Sequence, residues 1–181
     1  NKPKVKFYEN VHKNPQLLVG IVGTVNPGIS LLVQRIIKAQ PSVRFIYVTR
    51  FPTIDVLHTN WVVYSNVSET KLFELVRQMH YVIRGASPKP SSGTSALALS
   101  LLVPQIRPRH LLEQEGLSGI GYEDGEASEL SLPMPPPLDL LGKLAEQRQD
   151  MLTRLNQFYG VSPKADDVFF TRVSAEVSPP M

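Results

Sequence analysis

Apolar positions along the chain fall into short unbroken runs separated by stretches with helical spacing. "LLVGIVG", residues 17–23, contains only apolar residues and glycine, as suits a strand buried on both faces. Asn26 and Pro27 follow as N-cap and first helical residue. Leu31, Leu32 and Ile36, with Val33 and Ile37, predict the buried side of a helix over 27–39, which Pro41 ends. "VRFIYVTR", 43–50, predicts a second strand, broken by Phe51-Pro52. "WVVYSNV", 61–67, predicts a third. Ser68 then caps a helix with Leu72, Phe73, Leu75, Val76 and Met79 inward, and "YVIRGA", 81–86, predicts a fourth strand.

The remainder is less regular. Residues 1–16 alternate Lys4 and Lys6 with Val5 and Phe7, which suits an edge strand or an arm. "SPKPSSGTS", 87–95, has the composition of a surface turn. "ALALSLLV", 96–103, is too short for its pattern to separate helix from strand, and "RPRHLLEQEGL" suits one short helix. Residues 118–137 are rich in Gly, Ser, Pro and acids, which predicts a linker. Leu141, Leu144, Ala145, Arg148, Met151, Leu152, Leu155, Phe158 and Tyr159 follow the 3–4 spacing of a long amphipathic helix over 138–160. Gly160 suits its stop. "DVFFTRVSAEV", 167–177, reads as a last strand.

The alternation of strands and helices predicts a layered α/β fold with a largely parallel central sheet, to which a C-terminal amphipathic helix and strand are added. The expected organisation is a core over 1–117, a Pro/Gly/acidic linker over 118–137, and a helix-and-strand segment over 138–181 packed on the same domain.

Composition narrows the chemistry. The 181 residues include no cysteine, which removes disulfides, thiolate zinc sites and cysteine nucleophiles and suits a cytoplasmic or other reducing compartment. No apolar run approaches the roughly 18 residues of a membrane span, and no signal-peptide pattern opens the chain. Its start at Asn1 rather than Met suggests that the natural N-terminus lies upstream. The net charge of +3 hides an asymmetry: residues 1–110 carry 14 Lys and Arg against 4 Asp and Glu, and residues 111–181 carry 5 against 12. The basic part suits an anionic partner, nucleic acid included.

The stretch "GTVNPGIS" carries the sharpest motif. Gly23, Asn26, Gly28 and Ser30 follow a buried strand in the frame of a phosphate-binding loop, in which glycines and successive N–H groups at a helix N-terminus cradle an anion. Over about 20 residues this resembles the P-loop of GTPase-like NTPases. That resemblance implies a phosphate site at Gly23, Thr24, Asn26, Gly28 and Ser30. The chain departs from the pattern at Ile29, where the family carries lysine. Pro27 also lacks an N–H, and no predicted strand ends in the aspartate that orients magnesium. The dinucleotide fingerprint fits no better: Gly20-Ile-Val-Gly23 lacks the third glycine, and "FIYVTR" ends in Arg50 rather than an acid. Other signals are fainter. "PSSGTS", 90–95, is only distantly similar to the loop of adenylate-forming enzymes. "VVYSNVSETKLFELV" only loosely resembles the start of an RNA-recognition motif. His12, His58, His80 and His110 form no metal-ligand spacing, although His80 ends a helix where an imidazolium would suit the dipole. His58 lies three residues from Asp55 without the nucleophile elbow of a hydrolase.

The expected function is a non-catalytic, pseudo-NTPase-like subunit or adaptor in a larger assembly, without catalytic residues, metal or cofactor. Its partner surface would comprise Pro135 and Pro136 of a polyproline-like stretch and Leu141, Leu144, Met151 and Leu155 of the long helix. The alternatives are a nucleotide- or phosphate-ligand-binding protein using the 23–30 loop, and nucleic-acid binding through the basic part.

Overall fold

The two-sided apolar runs end side by side in one sheet. A computed structural model describes residues 16–23, 27–50, 60–84 and 93–159. In chain order the elements are β1 (Leu18–Val22), α1 (Pro27–Ala39), β2 (Arg44–Thr49), β3 (Trp61–Ser65), α2 (Glu69–Gln78), β4 (Tyr81–Ile83), α3 (Gly93–Ser100), β5 (Gln105–Pro108), α4 (Arg109–Glu115), β6 (Gly119–Tyr122) and α5 (Leu138–Tyr159). The sheet order is β3-β2-β1-β4-β5-β6, and every neighbouring pair is parallel. The layered α/β fold with a parallel sheet is therefore as the hydrophobic pattern predicts.

Strand alternation divides the core in two. Val19, Ile21, Phe45, Tyr47, Tyr81, Ile83 and Ile106 face Ile29, Leu32, Val33 and Ile36 of α1. On the other face Ile46, Val48 and Val82 meet Leu72, Leu75 and Val76 of α2 and Leu97 and Ala98 of α3. Leu31, expected inside, is 45% exposed, and Ile29 replaces it at 5%. Positions 29, 32, 33 and 36 form one stripe at 100° per residue, and position 31 falls opposite it. Ser68 caps α2 as expected, its hydroxyl accepting from the Lys71 N–H at 3.1 Å. Asn26 lies outside the described residues, as do Gly160 and the 167–177 stretch.

Two strands have no clear signal in the sequence. β5 reads "QIRP" and buries all four residues, polar ones included. β6 reads "GIGY" inside the stretch whose composition suggests a linker. Its Gly119 is required by close approach rather than flexibility: a Cβ there would sit 2.6 Å from the Gln105 carbonyl oxygen. The chain after β6 continues as a strap over α1. Arg35 donates to the Ser128 carbonyl at 2.8 Å and pairs with Glu126 at 3.1 Å, and the Leu130 N–H donates to the Arg35 carbonyl at 3.1 Å. Gln40 and the backbone of Leu132 bond reciprocally at 3.0 and 3.2 Å. The Tyr81 hydroxyl donates to the Pro133 carbonyl at 2.5 Å, and burial raises its pKa to about 12. Leu132 is thereby buried against the α1-facing core. α5 then docks on the opposite face, with Leu144 and Leu152 buried and Arg148 donating to the Ser100 carbonyl at 3.2 Å. Gln147 donates to the Gly116 carbonyl at 3.2 Å.

Two central strands meet in a clamp at their N-terminal ends. The His80 N–H donates to the Leu18 carbonyl at 2.9 Å, and the Leu18 N–H donates to His80 Nδ1 at 3.0 Å. His80 is thus a neutral acceptor, not the dipole-facing cation that its place after a helix suggests, and burial lowers its pKa. The unfolded chain takes up the proton first, so stability is complete above the ordinary histidine value near 6.5 and is lost as pH falls through and below it. Urea unfolding at stepped pH will show this acid-side loss, and His80→Gln will flatten it. Packing above the clamp gives a second expectation. A Cβ on Gly20 would lie 1.9 Å from Met79 Sδ. Gly20→Ala will destabilise by about 1–3 kcal/mol. Adding Met79→Ala will give a double variant less damaged than the sum of the two singles.

Candidate functional site

The connections from β1 run one way across the sheet, to β2 and β3, and those from β4 run the other, to β5 and β6. The helices that follow these two strands lie on opposite faces of the sheet: α1, after β1, on one and α3, after β4, on the other. The strand order reverses between β1 and β4, the kind of place at which open α/β sheets bind ligands.

On the β1 side, Gly23 has φ +114° and nothing crowds the position of its absent Cβ. L side chains rarely adopt that conformation. Its N–H donates to the Val48 carbonyl at 2.9 Å, tying the turn to the end of β2. Gly28 is exposed on the first turn of α1, Ser30 is half-buried, and Thr24 and Asn26 lie outside the described residues. Ile29 turns into the core. The structure thus brings Gly23, Gly28 and Ser30 to one end of the sheet, and position 29 contributes packing.

On the β4 side, the expected surface turn at 87–95 ends differently. Gly93, Thr94 and Ser95 form the first turn of α3, and Ser95 is buried. Its hydroxyl accepts from Arg84, the residue after β4, and donates to Gln105 Oε1 of β5 at 3.1 Å. Behind it Arg107, fully buried, donates to Glu115 Oε1 at 2.6 Å. Glu115 Oε2 lies 3.8 Å from the Arg84 guanidinium. The Arg84 pKa is held below the usual arginine value, mainly by burial and then by the nearby Arg107 charge, with Glu115 opposing both. Arg84, Ser95, Gln105, Arg107 and Glu115 were not candidates from sequence. The available signal is a charge embedded in apolar strands, in "YVIRGA" and "PQIRP", because buried arginines are held by partners or ligands.

The residues expected to bind a partner are not gathered into one free face. Leu144 is 3% exposed and belongs to the docked side of α5. Leu141, Met151 and Leu155 are half-buried, as is Pro136, and Pro135 is exposed. Among the described side chains of this helix, Leu138 at 83% and Phe158 at 82% are the large apolar ones most open to solvent. Among the described residues no three His, Asp or Glu side chains group as metal ligands. None of the described helices is long and apolar enough to cross a membrane.

No family model and no curated protein sequence matches the chain. Solved structures do. The glycosyltransferase SnogD from Streptomyces nogalater matches with 20% identity and a TM-score of 0.51, over 75% of this chain and 39% of that one. UDP-GlcNAc 2-epimerase from Neisseria meningitidis, bound to UDP-GlcNAc, matches with 12% identity and a TM-score of 0.45, over 99% and 45%. The wall teichoic acid polymerase TagF matches with 13% identity and a TM-score of 0.41, over 98% and 46%. The chain thus spans less than half the length of each. The SnogD likeness shows the fold, a layered α/β arrangement, not specifically that of the phosphate-loop NTPases that "GTVNPGIS" resembles.

Proposed function

We propose that this chain is a ligand-binding α/β unit that takes a nucleotide or another phosphate-bearing molecule at the carboxyl ends of β1 and β4. The reversal of strand order at that pair carries the reading. The positive-φ turn at Gly23 on one side and buried Arg84 on the other add to it. A backbone that approaches closely beside a cation is suited to an anion. SnogD, a glycosyltransferase, lends support to a ligand-binding role and supplies no residue roles. A second reading, an adaptor acting through protein contacts, is favoured by exposed Leu138 and Phe158 at the two ends of α5.

Calorimetric titration of the chain with UDP tests the first reading. Saturable binding below millimolar concentration is expected. Gly28→Val, which adds bulk on the exposed first turn of α1, will weaken it by about tenfold or more with the melting temperature near wild type. Absence of saturable binding at millimolar UDP and at millimolar inorganic pyrophosphate overturns it.

A further inference from the structure

The two edges of the sheet are not alike. β6 reads "GIGY", half glycine, and runs directly into Glu123 and Asp124, features that discourage further pairing. β3 reads "WVVYS", a segment of high strand propensity without charge or proline. Its pairing with β2 uses alternate residues. The Phe45 N–H donates to the Asn60 carbonyl at 3.0 Å, and the Asn66 N–H donates to the Thr49 carbonyl at 3.1 Å. In this parallel register Val62 and Tyr64 also turn their backbone groups toward β2, while Trp61, Val63 and Ser65 turn theirs outward. No strand lies beyond β3 among the described residues, and the Val63 side chain is 39% exposed. An apolar edge left in this form is a template for another strand.

The segment that precedes β1 has the pattern to fill it. Residues 1–15 lie outside the described residues and join the sheet at Gln16. That junction leans toward the β3 side. Gln16 Nε2 donates to the Ser42 carbonyl, just before β2, at 2.7 Å, and the Leu17 carbonyl accepts from the Arg44 N–H at 2.8 Å. A strand beyond β3 would lie three strand spacings from β1, about 14 Å. Residues 8–15 can span up to about 26 Å. "KVKF", residues 4–7, alternates lysine with apolar residues. Val5 and Phe7 therefore share one face of an extended strand. Trp61 packs on the α1-facing core, and Val63 shares its face, which gives Val5 and Phe7 an apolar surface to cover. Lys4 and Lys6 are the kind of charge that protects an outermost strand, and β3 has none. We infer that β3 is the docking edge for residues 4–7, which pair antiparallel to it and close that side of the sheet.

Amide hydrogen exchange followed by NMR on the whole chain tests this. The Val63 N–H, central on the open edge, is expected to exchange about tenfold or more slower in wild type than in a Val5→Asp/Phe7→Asp double variant, the scale of one lost protecting bond. The Val62 N–H, which faces β2, keeps its protection in both and reports that the variant is folded. If the variant does not fold, wild type decides: a Val63 N–H protected independently of protein concentration supports the docking. A Val63 N–H exchanging at the rate of an unbonded amide in wild type overturns it. Protection that survives in the double variant and grows with protein concentration also overturns it, and assigns the edge to a second copy of the chain.

Discussion

The constraint on which the rest depends is the double burial of β1. It lies between β2 and β4, with helices over both faces. Each side chain must therefore be apolar, and where α2 ends against it, small. Gly20 satisfies the second condition by leaving room for Met79. Burying such side chains contributes on the order of 1.5–3 kcal/mol each relative to exposure, and it holds the strand at whose carboxyl end the sheet order reverses. The turn at Gly23 sits over that strand, anchored to Val48 by a backbone bond. The geometry of the candidate site thus follows from the packing of a strand that carries no polar side chain.

What the sequence made legible follows from the same physics. β1 and β4 are unbroken apolar runs, and β2 holds one over 45–48, because both faces are covered. α1 and α2 show their stripes because one face of each meets the sheet, and α2 also shows its Ser68 cap. β5 and β6 are obscured for two different reasons. β5 buries Gln105 and Arg107, so polar letters stand where periodicity expects apolar ones. β6 uses glycine for contact with the Gln105 backbone, and composition cannot distinguish a glycine that packs from one that flexes. The strap over 126–133 is hidden similarly: beside the Glu126 pair and buried Leu132, its anchoring is through backbone atoms of Ser128, Leu130, Leu132 and Pro133, which leave no residue-type signature.

The site divides along the same line. The β1 half was visible, because glycines at a strand-to-helix turn form a local pattern. The β4 half joins residues 84, 95, 105, 107 and 115, which meet only once β4 and β5 pair and α3 and α4 cover them. Such a network is costly to assemble, since each buried charge loses several kcal/mol of hydration that only well-placed partners return. Two guanidiniums near one carboxylate are an expensive way to hold helices on a sheet. Apolar side chains of similar volume often do so equally well or better.

That cost bears on the meaning of position 29. Taken alone, isoleucine there makes "GTVNPGIS" a phosphate loop without its cation. Within the fold, a long apolar side chain at 29 completes the stripe with Leu32, Val33 and Ile36 that seats α1 on the sheet. A lysine could not occupy that position without losing the packing or burying its charge. Any charge offered to a ligand beside that turn therefore has to come from another element. The glycine turn is explained by the backbone it must form. The buried arginines are explained less well by stability alone, which makes the β4 side the more informative half.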